Sequence, residues 1–334
     1  MSHRFPRRSV VMILVLAALS LATAARVEGQ VLRLAELNTE QVRALDRDRT
    51  IVLIPGGILE EHGPYLPSFT DGYRNEATTD ALAQAIAARA GWTALVLPTI
   101  PLGVGGANEL GGHFSFPGTY TVRSSTLRAV FVDIASALGD QGFKWIFIVH
   151  LHGAPGQHRA LEDAGAFFRD VYGGRMVHLY GLLPVIAAGS VTLSPAEDAA
   201  NGLDVHAGRT ETSDILHIRP DLVAAGHRTA PPRPGQNWDD LVRVAETPGW
   251  AGYFGAPAQA SAAEGERRIR ERSRVAAEIV WRIVLEGADE RDIPRWVSVM
   301  SGSAAMAKVD SAEVAFERAR EERFQEWLAR RRRP

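Results

Sequence analysis

The run Trp145-Ile146-Phe147-Ile148-Val149 is apolar at every position and β-branched or aromatic throughout. A strand with one face in water alternates. One that is apolar on both faces has to be covered on both, which is the property of a central parallel strand. Ile51-Val52-Leu53-Ile54, ended by Pro55-Gly56-Gly57, has the same character, and 93–98 and 175–179 are further strand candidates. Helical spacing falls between and after them, over 75–90, 124–138 and 157–171. Strands alternating with helices of this length mean βαβ units and a mainly parallel sheet, so the chain reads as an α/β protein.

That domain is expected over 30–286, followed by a helical C-terminal extension over 287–334. Ser261-Ala262-Ala263-Glu264 has the form of a capping box opening a helix whose apolar face holds Ile269, Ala276, Ile279, Val280 and Ile283. Residues 287–309 read as a connector. Asp310 and Glu313 suggest the start of a last charged helix with Phe316, Ala319, Phe324 and Trp327 on one side. The prolines of 231–235 mark a surface loop, because proline cannot donate to a ladder.

The first residues belong to a different class. Arg4, Arg7 and Arg8 precede an apolar run over 10–22, and Ala22-Thr23-Ala24 supplies small residues for cleavage. This is the layout of a secretory signal peptide over 1–24. The run falls short of the roughly 20 apolar residues a membrane span needs. The expectation is an exported protein, periplasmic or secreted, with an uncleaved anchor as the alternative. Residues 1–24 hold three of the 37 basic residues, so their removal takes the net charge from −2 to −5. No basic face suggests nucleic acid as a partner. The chain has no cysteine, which excludes thiolate metal sites and cysteine nucleophiles.

Three segments carry chemistry. Glu60-Glu61-His62-Gly63-Pro64 is followed by Asp71; His150-Leu151-His152-Gly153 ends the strongest strand; and His206-Ala207-Gly208-Arg209-Thr210-Glu211 opens a helical pattern. Carboxylate oxygen and neutral imidazole nitrogen are the ligand set of Zn²⁺, Mn²⁺ or Fe²⁺. Glu60 and His62, two apart on extended backbone, point to one side, as do His150 and His152. Ligands in open α/β sheets collect at carboxyl strand ends, where these histidines lie. Taken singly, each segment also fits exposed charge, a structural histidine or compensation of a helix dipole. Together, Glu60, His62, Asp71, His152 and Glu211 suit two metal ions sharing one carboxylate, which makes a hydrolase the leading reading. His113, before Phe116-Pro117-Gly118-Thr119, touches substrate or braces a turn. His158, His178, His217 and His227 lack acidic partners at informative spacing. Gly103, Gly105 and Gly106 read as an active-site loop, since the Lys-Ser/Thr of a P-loop is missing.

The order Glu-x-His, Asp, His-Gly, His-Ala-Gly-x-x-Glu-Thr-Ser resembles the creatininase (creatinine amidohydrolase) family over about 51–286. The block from Ile54 to Pro64, the Phe116-Pro117-Gly118-Thr119 block and Gly252-Tyr253-Phe254-Gly255-Ala256-Pro257 extend the resemblance. It implies a three-layer α/β/α fold, a homo-oligomer, and a dinuclear hydrolase cutting a non-peptide C–N amide bond of a small molecule. It places Glu60, His62, Asp71, His152 and Glu211 as ligands of two divalent ions, with Asp71 the bridge. Zn²⁺ is the first choice, with Mn²⁺ or Fe²⁺ as alternatives. His206 and Glu61 take catalytic places, and His113 and His150 are candidate substrate contacts. There are departures. The family's Asn-Gly-His-Gly-Gly-Asn is here His150-Leu151-His152-Gly153-Ala154-Pro155, and the tyrosine and glutamate of true creatininases are Gly153 and Ala154. A tryptophan upstream of His206 is replaced by Asn201-Gly202-Leu203. Creatinine is therefore expected to be a poor substrate. A catalytically silent member used for binding or assembly is the second reading. A metallophosphatase is the third, against which stands the lack of an Arg/Lys clamp near the motifs.

Overall fold

The structure, a computed structural model, describes residues 29–331. The expected signal peptide and the last arginines, Arg332 and Arg333, lie outside the described residues. Five strands, β1 (Gln30–Arg33), β2 (Thr50–Pro55), β3 (Thr93–Val96), β4 (Trp145–Val149) and β5 (Arg175–His178), form one parallel sheet in the spatial order β1-β3-β2-β4-β5. Val52 stands opposite Leu95 on one side and Ile146 on the other. The longer helices are α1 (Thr70–Ala87), α2 (Ser124–Asp140), α3 (Pro155–Tyr172), α4 (Arg209–Ile218), α5 (Trp238–Ala245), α6 (Ala262–Glu286) and α7 (Ala304–Arg331).

Strand periodicity of two sorts the sheet's side chains into two cores. Ile51, Leu53, Ala94, Val96, Phe147 and Val149 pack against Leu82 and Ile86 of α1 and Ile279, Val280 and Ile283 of α6. Val52, Ile54, Leu95, Ile146 and Ile148 meet Leu127 and Phe131 of α2 and Leu161 and Phe168 of α3 on the other face. Each buried Val, Leu, Ile or Phe among them contributes about 1.5–3 kcal/mol by leaving water. The result is the three-layer α/β/α arrangement, with β2 and β4 at its centre as their doubly apolar sequences require.

Several boundaries differ from expectation. α1 begins at Thr70 rather than 75; Phe69 before it has no capping side chain, so no start signal in the sequence marks that boundary. This moves Asp71 from the expected loop into the first helical turn. Ser261 caps α6 by accepting from the Glu264 N–H at 3.3 Å, but the Glu264 carboxylate turns to Arg209 at 2.8 Å instead of closing the box. β1 has no counterpart among the expected strands, since Gln30-Val31-Leu32-Arg33 is a short, half-exposed edge. Arg233, in the proline-rich loop, forms an antiparallel bridge with Gly255.

The C-terminal segment is fastened to the domain. The connector contains a short helix, Trp296–Met300, and α7 starts at Ala304, so Asp310 and Glu313 are interior rather than capping residues. Asp310 pairs with Arg159 at 2.5 Å. Glu317 accepts from the backbone N–H and hydroxyl of Ser124 at 2.5 and 2.7 Å, Arg320 donates to the Thr121 carbonyl at 3.0 Å, and Phe316 stacks on Phe114. Among the described residues, no helix is long and apolar enough to cross a membrane.

Candidate metal centre

Beyond the carboxyl ends of β2 and β4, the first turns of α1 and α4 converge on one buried cluster. Glu60 is fixed by its backbone N–H, which donates to the Ser68 carbonyl at 2.9 Å, and by its Oε1, which accepts from the Ala107 N–H at 2.6 Å. Its Oε2 lies 3.1 Å from Nδ1 of His152. Oδ2 of Asp71 lies 3.3 Å from the same nitrogen, while Oδ1 lies 3.9 Å from Nε2 of His62. Oε2 of Glu211 completes that side, 3.4 Å from His62 Nε2. Glu60, Asp71 and His152 form one trio able to hold a cation; His62, Asp71 and Glu211 form a second. Asp71 belongs to both.

The two histidines are oriented as ligands. His62 Nδ1 lies 3.0 Å from the Glu60 carbonyl, and His152 Nε2 lies 2.6 Å from the Gly105 carbonyl. With those nitrogens donating to backbone, the opposite nitrogens carry lone pairs into the cluster, the arrangement that sets the tautomer of a metal-binding imidazole. His62 Nε2 and Glu60 Oε2 are buried without a hydrogen-bond partner. Buried polar atoms are rarely left so, and a cation between these groups would satisfy both. The residues present fit a divalent ion.

Electrostatics agree. Burial alone would raise Glu60, but His152, His206 and His62 overcome it and hold the carboxyl at about 2. Asp71 is likewise pulled well below the usual carboxylate range, against its burial, by His152, His62 and Arg74. Burial would lower His152, yet Glu60 and Asp71 push it well up.

His206, its ring 4.3 Å from that of His62, belongs to a third group able to hold a cation, with Glu60 and His62. Its Nε2 is 3.3 Å from Oε1 of Glu61, whose Oε2 accepts from the Gly63 N–H. Gly252, at φ 83°, leaves the room Glu61 occupies, where any Cβ would collide with Oε2. Glu61 does not line the cavity; it stands behind His206 and positions it. Burial would lower His206, but Glu60 and Glu61 push it up to about 10. Ala207 has a φ of 50°, the only positive value outside glycine among the described residues, and this turns its N–H onto Oε2 of Glu211 at 2.6 Å. Backbone strain of this kind collects at functional sites.

Two expected substrate contacts lie elsewhere. His150 is fully buried with Nε2 3.0 Å from the Leu102 carbonyl, and burial takes it down to about 4. The chain leaves β4 at Val149, so the alternation that would have put His150 beside His152 no longer applies. His113 is exposed and braces a turn through the Ala245 carbonyl at 3.1 Å.

A cavity of about 200 Å³ opens onto the cluster. Its walls include Arg74, Glu109, Trp238, Arg268, Arg272 and Trp296, which sequence spacing did not single out, and Glu313, which it read only as part of a helix start. Arg74 is at i+3 from Asp71, a pairing visible only once α1 is known to start at Thr70. It bridges Asp71 at 3.1 Å and Glu211 at 2.5 Å, and its Nε reaches Asp214 at 2.9 Å. Arg272 and Arg268 also face Asp214, at 2.5 and 3.6 Å. Three guanidiniums thus stand near the motifs where no clamp was expected; each pairs with a carboxylate, while Nε and Nη1 of Arg272 and Nε of Arg268 keep no hydrogen-bond partner.

The family described as creatininase, creatinine amidohydrolase, matches residues 35–280. The chain belongs to the creatininase family. Among its curated relatives in that family is the mycofactocin precursor peptide peptidase of Mycolicibacterium smegmatis, 34% identical over 243 residues, or 70% of this chain and 86% of the relative. The counterpart from Mycobacterium tuberculosis H37Rv is 29% identical over 247 residues, 70% and 85% of the two chains. A manganese creatininase structure shares the fold with a TM-score of 0.55 at 20% identity, covering 76% of this chain and 99% of its own. A zinc–zinc creatininase mutant does so with 0.55, also at 20% identity, covering 76% and 98%. The creatininase match ends before α7.

Proposed function

We propose that this chain is a divalent-metal-dependent amide hydrolase acting on a small molecule. The observation that carries the reading is the pair of buried trios sharing Asp71, each with a histidine whose free nitrogen faces carboxylates. Glu60, Asp71 and His152 would hold one ion and His62, Asp71 and Glu211 the other. Zn²⁺ and Mn²⁺ are the first candidates, in keeping with the zinc and manganese forms of creatininase on the same fold. When bound, such ions supply Lewis acidity toward a carbonyl and lower the pKa of water.

The chain's own residues account for the rest. His206 lines the cavity and, oriented by Glu61, is placed to give a ring proton to a departing amide nitrogen. Glu61 fixes the ring's orientation. Leu110, Trp238, Trp296 and Met300 form an apolar surround that keeps bulk water from the polar cluster. The cavity's size admits a small molecule or a short peptide end. Peptidase and creatininase relatives are named for different substrates, and the reading taken here is the small-molecule, non-peptide amide, with short peptides kept in the test.

The test is a panel of cyclic amides, formamides and short peptides with metal-loaded protein. Turnover of at least one amide, lost on chelation and restored by metal, is expected, with creatinine poorly used because Gly153 and Ala154 stand where creatininases carry tyrosine and glutamate. Hydrolysis of phosphate esters with no amide turnover would favour the phosphatase reading instead. No turnover by fully metal-loaded protein would leave a binding role.

A further inference from the structure

We propose that the cavity selects a substrate bearing a cationic guanidine or amine group, seated between Glu313 of α7 and Glu109. The inference deepens the hydrolase reading and rests on it for taking the cavity as the substrate site.

α7 lies outside the creatininase match, yet it delivers Glu313, with Met306 and Val309, to the cavity wall. The ion pairs and hydrogen bonds of Asp310, Glu317 and Arg320 hold the helix, so Glu313 is a fixed part of the site. Its seat is built. A Cβ on Gly105 would come within 3.1 Å of Oε1 of Glu313, and one on Gly156 within 2.8 Å, so two glycines leave the space the carboxylate fills. Gly105 also supplies the carbonyl behind His152, which puts Glu313 one residue away from the proposed ligand shell.

Glu109 and Glu313 are each only 5% exposed, and Oε2 of Glu109 and Oε1 of Glu313 accept no hydrogen bond. A buried carboxylate without a partner is costly unless a cation arrives. The three arginines of the wall face Asp71, Glu211 and Asp214 and have no ion pair with either glutamate. Burial, with Glu60 as neighbour, pushes Glu109 up to about 7; burial, with Glu109 as neighbour, pushes Glu313 up to about 8. A cation would return both to ordinary carboxylates. The rings of Trp238 and Trp296, 6.2 Å apart, offer faces for the same charge, and Met300 and Met306 fit an apolar stem.

The probes are benzylguanidine, cationic and unsuited to ligating metal, and its neutral isostere benzylurea. Their affinities for the metal-loaded full chain are measured by calorimetry. The wild type is expected to prefer the guanidine by roughly tenfold or more, and Glu313→Gln to remove most of that preference. Glu109→Gln, on a separate element, is expected to weaken it as well and serves if the first variant fails to fold. Equal affinities in the wild type, or an unchanged preference in folded Glu313→Gln, would overturn the proposal. A guanidine preference without any amide turnover would sink the hydrolase reading and leave the cation seat standing.

Discussion

Oδ2 of Asp71 lies 3.3 Å from Nδ1 of His152, although one comes from the first turn of α1 and the other from the segment after β4. The other oxygen of Asp71 faces His62, so one carboxylate joins two ligand sets. Asp71→Ala is therefore expected to lose most of both ions, whereas Glu211→Ala loses mainly the ion on the His62 side. Metal analysis of the dialysed variants checks this, and full occupancy in Asp71→Ala contradicts a shared carboxylate.

His206 is expected to act as the proton donor. Its removal, as His206→Ala, should lower kcat by about 10²–10⁴-fold, the range for a general acid. The metal-free protein gives an independent readout. With the folded value raised from 6.5 to about 10, the imidazolium's contribution to stability is full below pH 6.5 and is lost as pH rises through 10. The stability difference between metal-free wild type and His206→Gln should thus be largest in mild acid and shrink toward pH 10. A difference independent of pH contradicts the ion pairing with Glu60 and Glu61.

Arg74 is buried and pairs with Asp71, Glu211 and Asp214. Arg74→Met leaves those carboxylates short of a cation and is expected to cost the metal-free protein about 3–5 kcal/mol, the usual penalty for breaking a buried pair. Metal loading should restore part of the loss. Denaturant unfolding with and without Zn²⁺ measures both, and a cost below about 1 kcal/mol would show that Arg74 is not the counter-charge.

The sequence made β2 and β4 legible because doubly apolar strands have only one place in an α/β sheet. The five proposed ligands were legible for a related reason: each sits beside glycine, or in a Gly- or Pro-bounded stretch, at an element's edge. Other features had no local signal. α1 starts on Phe69, which offers no cap, so Asp71 read as a loop residue and the Arg74 pairing stayed hidden. Asp310 and Glu313 mimicked a helix start because their carboxylates serve tertiary contacts, one to Arg159 and one to the cavity. His150 followed the strand rule past the point where the strand ends. Glu109 needed the fold to bring it beside Glu313, since the two are distant in sequence.

The signal-peptide layout supports export, which we propose for the mature chain beginning near Ala25. Expression from the full gene followed by N-terminal sequencing is the check. A start near Ala25 in the periplasmic or secreted fraction is expected; an intact Met1 on soluble cytoplasmic protein contradicts it.

The most direct test of the account is a metal titration of the stripped protein, with bound ions and amide hydrolysis followed together. About two divalent ions per chain are expected, as in other two-metal sites, with activity rising as the second is filled. Full amide turnover by protein that holds no metal would contradict this.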